Sequence, residues 1–78
     1  MPTVLVIDDD SGTRLLLEKL LLRKGYAVIV SADGATGLDL FRRLSPDAIV
    51  LDLNMPGFDG MTVLQQVRAL NERIPVII

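Results

Sequence analysis

Residues 3–10 read TVLVIDDD, a short apolar run rich in β-branched residues that is followed without a gap by three aspartates. A continuous apolar run of this kind is typical of a strand covered on both faces, as in parallel sheets. Residues 47–52 (DAIVLD) have the same form, because an apolar run ends directly on Asp52. The two stretches predict buried strands that carry acids at their carboxyl ends.

The rest of the chain alternates between helical and strand patterns. We predict helices over residues 14–24, 35–44 and 61–70, and two further strands over residues 26–30 and 75–78. The order β-α-β-α-β-α-β with short connections predicts an α/β fold, in which right-handed crossovers place helices on both faces of a flavodoxin-like parallel sheet. The chain stops inside strand four, so we predict one partial domain over residues 1–78, truncated after the start of that strand.

Local signals mark the ends and the inward faces of the predicted helices. Ser11 is the expected N-cap of the first helix, and Gly25 is expected to follow that helix in the left-handed conformation. Each helix also carries an apolar stripe that predicts its inward face. The stripe residues are the leucines between positions 15 and 22, then Leu38, Phe41 and Leu44, and finally Val63, Leu64, Val67 and Leu70.

The composition excludes several classes of function. The chain has no cysteine and no histidine, which removes disulfides, thiolate metal sites and phosphohistidine chemistry on this chain. The net charge of −2 argues against a nucleic-acid-binding surface. The apolar runs are too short to span a membrane, and the N-terminus lacks the pattern of a secretory signal. We therefore expect a cytoplasmic domain without direct contact to nucleic acid or membrane.

The acids at the strand ends predict a binding site. In the flavodoxin-like strand order, strands one and three are neighbours, and ligands bind outside the carboxyl ends of the strands where the order reverses. Asp8 and Asp9 end strand one and Asp52 ends strand three, so we expect the three carboxylates to lie in one small volume. Their mutual repulsion favours a bound cation, and oxygen ligands of this kind suit Mg²⁺.

Helix capping is the alternative interpretation of these acids, because aspartate before a helix is common. Asp10 fits either interpretation, and Asp59 is expected to cap the third helix. Capping alone does not explain the adjacent pair Asp8 and Asp9 together with Asp52, since all three directly follow buried strands. The remaining aspartates are expected to be solvated or turn residues without a special role: Asp33, Asp39 and Asp47.

Three motifs together resemble the receiver domain of response regulators in two-component signalling. They are VLVIDDD at residues 4–10, followed by a leucine-rich helix, then PDAIVLDLNMPGFDG at residues 46–60, and IPVII at residues 74–78. The resemblance covers essentially the whole chain. The spacing between the N-terminal acid pair and the segment around Asp52 makes it specific.

The resemblance implies a role for each matching residue. Asp52 is implied to be the phosphoacceptor, which takes a phosphoryl group from a sensor histidine kinase or a phosphotransfer protein. Asp9 and Asp52 are implied to bind Mg²⁺ directly, Asn54 through its backbone carbonyl, and Asp8 through a metal-bound water. The resemblance thus implies a signalling domain that is not an enzyme in the usual sense, apart from its own phosphorylation and dephosphorylation.

The resemblance also implies roles for residues in the loop after Asp52. In the family, the side chain at the sequence position of Asn54 affects how fast the aspartyl phosphate is lost. Pro56 and Gly57 are implied to shape the loop beside the site, and Gly60 to begin the third helix.

The chain departs from the family pattern after Ile78. The family's Ser or Thr at the end of strand four, its Lys at the end of strand five and its helix beside the first helix are absent from this sequence. We therefore expect the acceptor and metal ligands without the switch. An open apolar edge at strand four also predicts self-association, unless the remainder of a longer protein covers that edge.

Two other functions stay open from the residues. One is an Mg²⁺-dependent phosphatase-like domain with an Asp nucleophile, which would carry that nucleophile after strand one and a second Asp two residues later. The adjacent pair Asp8 and Asp9, and the place of the strongest motif on strand three, disfavour it. The other is a degenerate interaction module that is not phosphorylated, which the presence of all three acids disfavours. A nucleotide-binding role is disfavoured because the first turn has no glycine-rich phosphate motif.

Overall fold

The computed structural model describes residues 1–56 and 60–78. In chain order the elements are β1 (Thr3–Ile7), α1 (Ser11–Arg23), β2 (Ala27–Ser31), α2 (Gly34–Leu44), β3 (Ala48–Leu51), α3 (Gly60–Leu70) and β4 (Val76–Ile77). The strands form one parallel sheet in the order β2-β1-β3-β4. The predicted α/β class, the alternation of elements and the flavodoxin-like strand order are therefore confirmed.

The core lies where α2 and α3 cover the central strands. β1 and β3 supply most of its fully buried side chains because both are flanked by neighbours in the sheet, and α2 and α3 pack against each other beside them. The core residues include Leu5, Ile7, Ile49 and Leu51 from the strands, and Leu38, Phe41, Val63 and Val67 from the helices. The predicted stripes are wrong at Leu44 and Leu70, which are 49% and 57% exposed. Both are the last residues of their helices, beyond the part of each helix that packs in the core.

Aspartates begin the first two helices. Asp10 is the N-cap of α1, and its carboxylate accepts hydrogen bonds from the Thr13 hydroxyl at 2.7 Å and the Thr13 N–H at 2.8 Å. The predicted N-cap Ser11 is wrong, since that residue already lies in the helix. Asp33 caps α2 in the same way through the N–H and the hydroxyl of Thr36. These hydrogen bonds hold the pKa of both carboxyl groups below its ordinary value.

Two further aspartates have structural roles that the sequence prediction did not give them. Asp47 accepts a hydrogen bond from the Thr3 N–H at 2.7 Å, which joins the start of β1 to the residue before β3. Asp39 forms an ion pair with Arg43 one turn later in α2, at 3.1 Å. The predicted cap Asp59 lies outside the described residues.

Helix α1 leaves much of its apolar surface uncovered. It packs on β1 and β2, and none of its residues is fully buried. A helix that packs on a sheet with one side buries a single stripe, so the predicted wide inward face is wrong for four leucines. Leu15, Leu16, Leu20 and Leu22 are between 46% and 58% exposed. The helix ends as predicted, with Gly25 at φ +89°.

None of the helices within residues 1–56 and 60–78 is long and apolar enough to cross a membrane.

Candidate functional site

The ends of β1 and β3 are fixed at the same edge of the sheet. Ile7 pairs with Leu51 in the parallel register, so the residues that follow them lie side by side. The Asp8 N–H donates to the Ser31 carbonyl at 3.1 Å, and the Asp52 N–H donates to the Ile7 carbonyl at 2.9 Å. The hydrogen-bond ladder therefore continues one residue past each strand and holds the main chain of both acids.

Three carboxylates converge at this edge, as predicted. One carboxylate oxygen from each of Asp8, Asp9 and Asp52 lies within 4.8 Å of the other two. Asp8 and Asp52 are half-buried, whereas Asp9 is exposed. We call these three residues the acidic pocket.

Matching local turns orient two of these carboxylates. Oδ1 of Asp8 accepts a hydrogen bond from the Asp10 N–H at 2.9 Å, and Oδ1 of Asp52 accepts one from the Asn54 N–H, also at 2.9 Å. Aspartate commonly bonds its own backbone two residues on in this way. Neither second oxygen receives a hydrogen bond from the described part of the chain, so each carboxylate can offer that oxygen to a ligand.

The donor set fits a hard divalent cation. Oxygen ligands lie about 2.1 Å from Mg²⁺, so two ligands on opposite sides of the ion are about 4 Å apart. An acid cluster that spans 4.8 Å matches this size if one acid binds through a water molecule. Within residues 1–56 and 60–78, no Lys or Arg nitrogen lies within 4.0 Å of these carboxylates. The negative charge of the pocket is therefore available to a cation.

Arg14 is a further residue near the acidic pocket, and the sequence analysis predicted no role for it. The Arg14 side chain is half-buried, and its Nη1 donates to the Asp8 carbonyl at 2.9 Å. Arg14 lies one turn after the N-cap Asp10, and helical side chains lean toward the N-terminus of their helix. That spacing is the sequence signal that points to this contact.

The structure describes only some of the residues between Asp52 and α3. Asn54 and Pro56 are exposed, and Gly57 lies outside the described residues. Gly60 is buried and begins α3, as the family resemblance implied.

The parallel sheet in this order defines an α/β protein, and the acidic pocket lies where β1 and β3 end side by side, at the switch point where such proteins commonly bind ligands. The sequence pattern of the response regulator receiver domain matches residues 4–78. The chain belongs to this family, and it is a receiver domain of two-component response regulators.

Two relatives with similar sequences support this family assignment. Transcriptional regulatory protein AfsQ1 of Streptomyces coelicolor is 42% identical over 78 residues, which is 100% of this chain and 34% of that protein. Sporulation initiation phosphotransferase F of Bacillus subtilis is 36% identical over 75 residues, or 96% of this chain and 60% of that protein. The chain thus spans about a third of the first relative and less than two thirds of the second.

Solved structures with a similar fold support the same family assignment. The crystal structure of response regulator protein TrrA from Thermotoga maritima, in complex with Mg²⁺-BeF, matches with a TM-score of 0.93 and 30% identity. The match covers 97% of this chain and 66% of that chain. TrrA in complex with the histidine kinase ThkA matches with a TM-score of 0.90, at the same identity and coverage.

Proposed function

We propose that this receiver domain accepts a phosphoryl group on Asp52 and that the acidic pocket holds Mg²⁺ for this reaction. The observation that carries the proposal is the convergence of the Asp8, Asp9 and Asp52 oxygens within 4.8 Å. The Mg²⁺-BeF bound in the TrrA structure supports it. The donor is a phosphohistidine on a sensor histidine kinase or a phosphotransfer protein, which the TrrA complex with ThkA supports.

Each of the three acids has a different role in the proposed reaction. Asp52 takes the acceptor role that the family resemblance implies for it, and the Asn54 N–H holds one of its oxygens in place. Asp9 and Asp52 bind the metal directly, Asn54 contributes its backbone carbonyl, and Asp8 acts through a metal-bound water. When bound, Mg²⁺ neutralises the charge between the carboxylate and the incoming phosphoryl group.

The reaction moves one phosphoryl group between two side chains. An Asp52 oxygen forms a bond to phosphorus while the bond from phosphorus to the donor's imidazole nitrogen breaks. That nitrogen keeps the electron pair, and the donor leaves as neutral histidine because its other ring nitrogen already carries a proton. Because little covalent chemistry is left to the protein, this chain contributes mainly the placement of Asp52.

We infer a signalling role in the cytoplasm, in which the chain undergoes phosphorylation and dephosphorylation without turning over another substrate. This segment makes no direct contact with nucleic acid or membrane in the proposed role. Its net charge of −2 gives it no electrostatic attraction to DNA.

The geometry disfavours the two alternatives. A phosphatase with its nucleophile at Asp8 would need Asp10, two residues later, as a free acid. The Asp10 carboxylate instead caps α1 through two hydrogen bonds from Thr13. A degenerate interaction module would not need three acids that converge at one sheet edge.

Replacing Asp9 with asparagine is expected to weaken Mg²⁺ binding by about tenfold or more, because one charged ligand becomes a neutral amide. Isothermal titration or ¹⁵N NMR titration with MgCl₂ measures the dissociation constant. Asp39→Asn is the matched control, since it removes the same charge from an exposed residue of α2 that pairs with Arg43. Equal weakening in both variants would show that Mg²⁺ responds only to the overall charge and would contradict the site.

We also propose that this chain self-associates through the β4 edge. Ile77 lies in β4 and Ile78 follows it, and they are 59% and 65% exposed. The described residues pair β4 with β3 on one side. Open apolar edges pair readily with another chain. Sedimentation velocity is expected to show a concentration-dependent dimer that Ile77→Lys abolishes. A wild-type chain that stays monomeric and folded at high concentration would contradict this proposal.

A further inference from the structure

The first residue of α3 touches the main chain of the acceptor. A Cβ placed on Gly60 would overlap the carbonyl oxygen of Asp52 and the Cα of Leu53, and it would lie 3.0 Å from the carbonyl carbon of Asp52. All of these atoms belong to the backbone, which cannot rotate aside as the end of a side chain can. Gly60 is buried, so α3 begins in direct contact with the segment that carries Asp52.

Space, and not backbone conformation, makes glycine necessary at this position. Among the described glycines, Gly25 has a positive φ, of 89°, whereas Gly60 does not lie in the left-handed region. An alanine could therefore adopt the backbone conformation of Gly60. Among the residues that the structure describes, the close approach of residues 52 and 53 stands against it.

A methyl group at position 60 can be accommodated by one of two movements, and the packing of the two segments determines which one occurs. Either α3 recedes, or residues 52–54 shift. Helix α3 is anchored by Val63 and Val67, which are buried in the core. Residues 52–54 are held on one side by the bond from the Asp52 N–H to the Ile7 carbonyl, and Asn54 is exposed. The acceptor segment is therefore the part that yields.

We propose that Gly60 is a positioning residue for the acceptor and that its missing side chain sets the location of Asp52 and of the Asn54 carbonyl. This inference rests on the proposed function, because it concerns how these two groups meet Mg²⁺. A shift of the 52–54 segment moves two metal ligands at once. Changes that misplace metal ligands without removing them commonly cost 10–100-fold in metal affinity.

Two other glycines offer matched controls. A Cβ on Gly37 in α2 would lie 2.6 Å from Cδ1 of Ile7, so the crowding falls on a core side chain and not on the acceptor segment. A Cβ on Gly12 in α1 would lie 3.4 Å from Oδ2 of Asp10, which is an ordinary contact. Gly37→Ala tests crowding in the core alone, and Gly12→Ala tests a methyl group beside the pocket without crowding.

The experiment compares Gly60→Ala, Gly37→Ala and Gly12→Ala with the unchanged chain. Backbone ¹⁵N and ¹³C chemical shifts are recorded without metal, and Mg²⁺ affinity is then measured by titration with MgCl₂. Gly60→Ala is expected to shift the signals of residues 52–54 most strongly and to bind Mg²⁺ about tenfold more weakly or worse. Gly37→Ala is expected to lose stability while the folded protein keeps its Mg²⁺ affinity, and Gly12→Ala is expected to keep both.

A Gly60→Ala variant with unchanged 52–54 shifts and unchanged Mg²⁺ affinity would overturn the inference. If that variant unfolds in buffer, the spectra are recorded in trimethylamine N-oxide, which favours the folded state. Failure to fold even there would also overturn it, since Gly60 would then serve packing alone. Absence of Mg²⁺ binding by the unchanged chain would contradict the proposed function instead, and the metal-free shifts would still decide the effect of Gly60 on the acceptor segment.

Discussion

Replacing Asp52 with asparagine is expected to abolish phosphoryl transfer to this chain. The amide has no charged oxygen to attack phosphorus. The loss of the carboxylate also removes one direct metal ligand. The chain is incubated with Mg²⁺ and acetyl phosphate, and incorporation is followed by intact mass. The unchanged chain should gain the mass of one phosphoryl group, and Asp52→Asn should gain none.

The fold should survive this substitution, so the loss can be assigned to chemistry. The Asp52 N–H bonds to the Ile7 carbonyl through the main chain, and an asparagine Oδ1 can still accept the Asn54 N–H. Asp10→Asn is a suitable control, because asparagine also caps helices and the change removes a neighbouring charge outside the acidic pocket. Equal labelling of Asp52→Asn and the unchanged chain would contradict the assignment of the acceptor.

Replacing Leu38 with alanine is expected to lower the free energy of unfolding by about 2–5 kcal/mol. Leu38 is 4% exposed and belongs to the core that α2 shares with the central strands. Small domains have only about 5–15 kcal/mol of stability, so this loss is a large fraction of the total. Urea unfolding followed by circular dichroism measures it.

Leu44→Ala is the matched control on the same helix. Helix α2 contains both leucines, and the substitution is chemically identical, but Leu44 is 49% exposed. We expect it to cost about 1 kcal/mol or less, as is usual for surface positions. Equal losses at the two sites would contradict the burial that the structure gives them.

The order of elements and the acidic pocket could be predicted from the sequence because each depends on short-range patterns. The apolar runs before Asp8 and Asp52 each indicate a buried strand, because they are short and rich in β-branched residues. Parallel strands bring their carboxyl ends to one edge, so the meeting of these acids follows once strands one and three are neighbours. The family motif around Asp52 and Asn54 adds the implied roles.

The remaining features depend on distances that no local pattern contains. Ser11 and Asp10 are both acceptable caps by residue type, and only the backbone position of α1 selects Asp10. Leu44 continues the stripe of α2 in sequence, yet the helix ends there and leaves it exposed. The contact of Gly60 with the Asp52 carbonyl arises from the docking of α3 on the sheet, so it becomes visible only in the folded chain.

Chemical trapping of the phosphorylated residue tests the assignment of Asp52 most directly. The chain is incubated with Mg²⁺ and acetyl phosphate, and borohydride then reduces the acyl phosphate to an alcohol, which converts the modified aspartate to homoserine. Peptide sequencing by mass spectrometry locates that residue. We expect homoserine at position 52 alone and only when Mg²⁺ is present. Homoserine at position 8 or 9 in place of 52 would contradict the proposed roles of the acidic pocket.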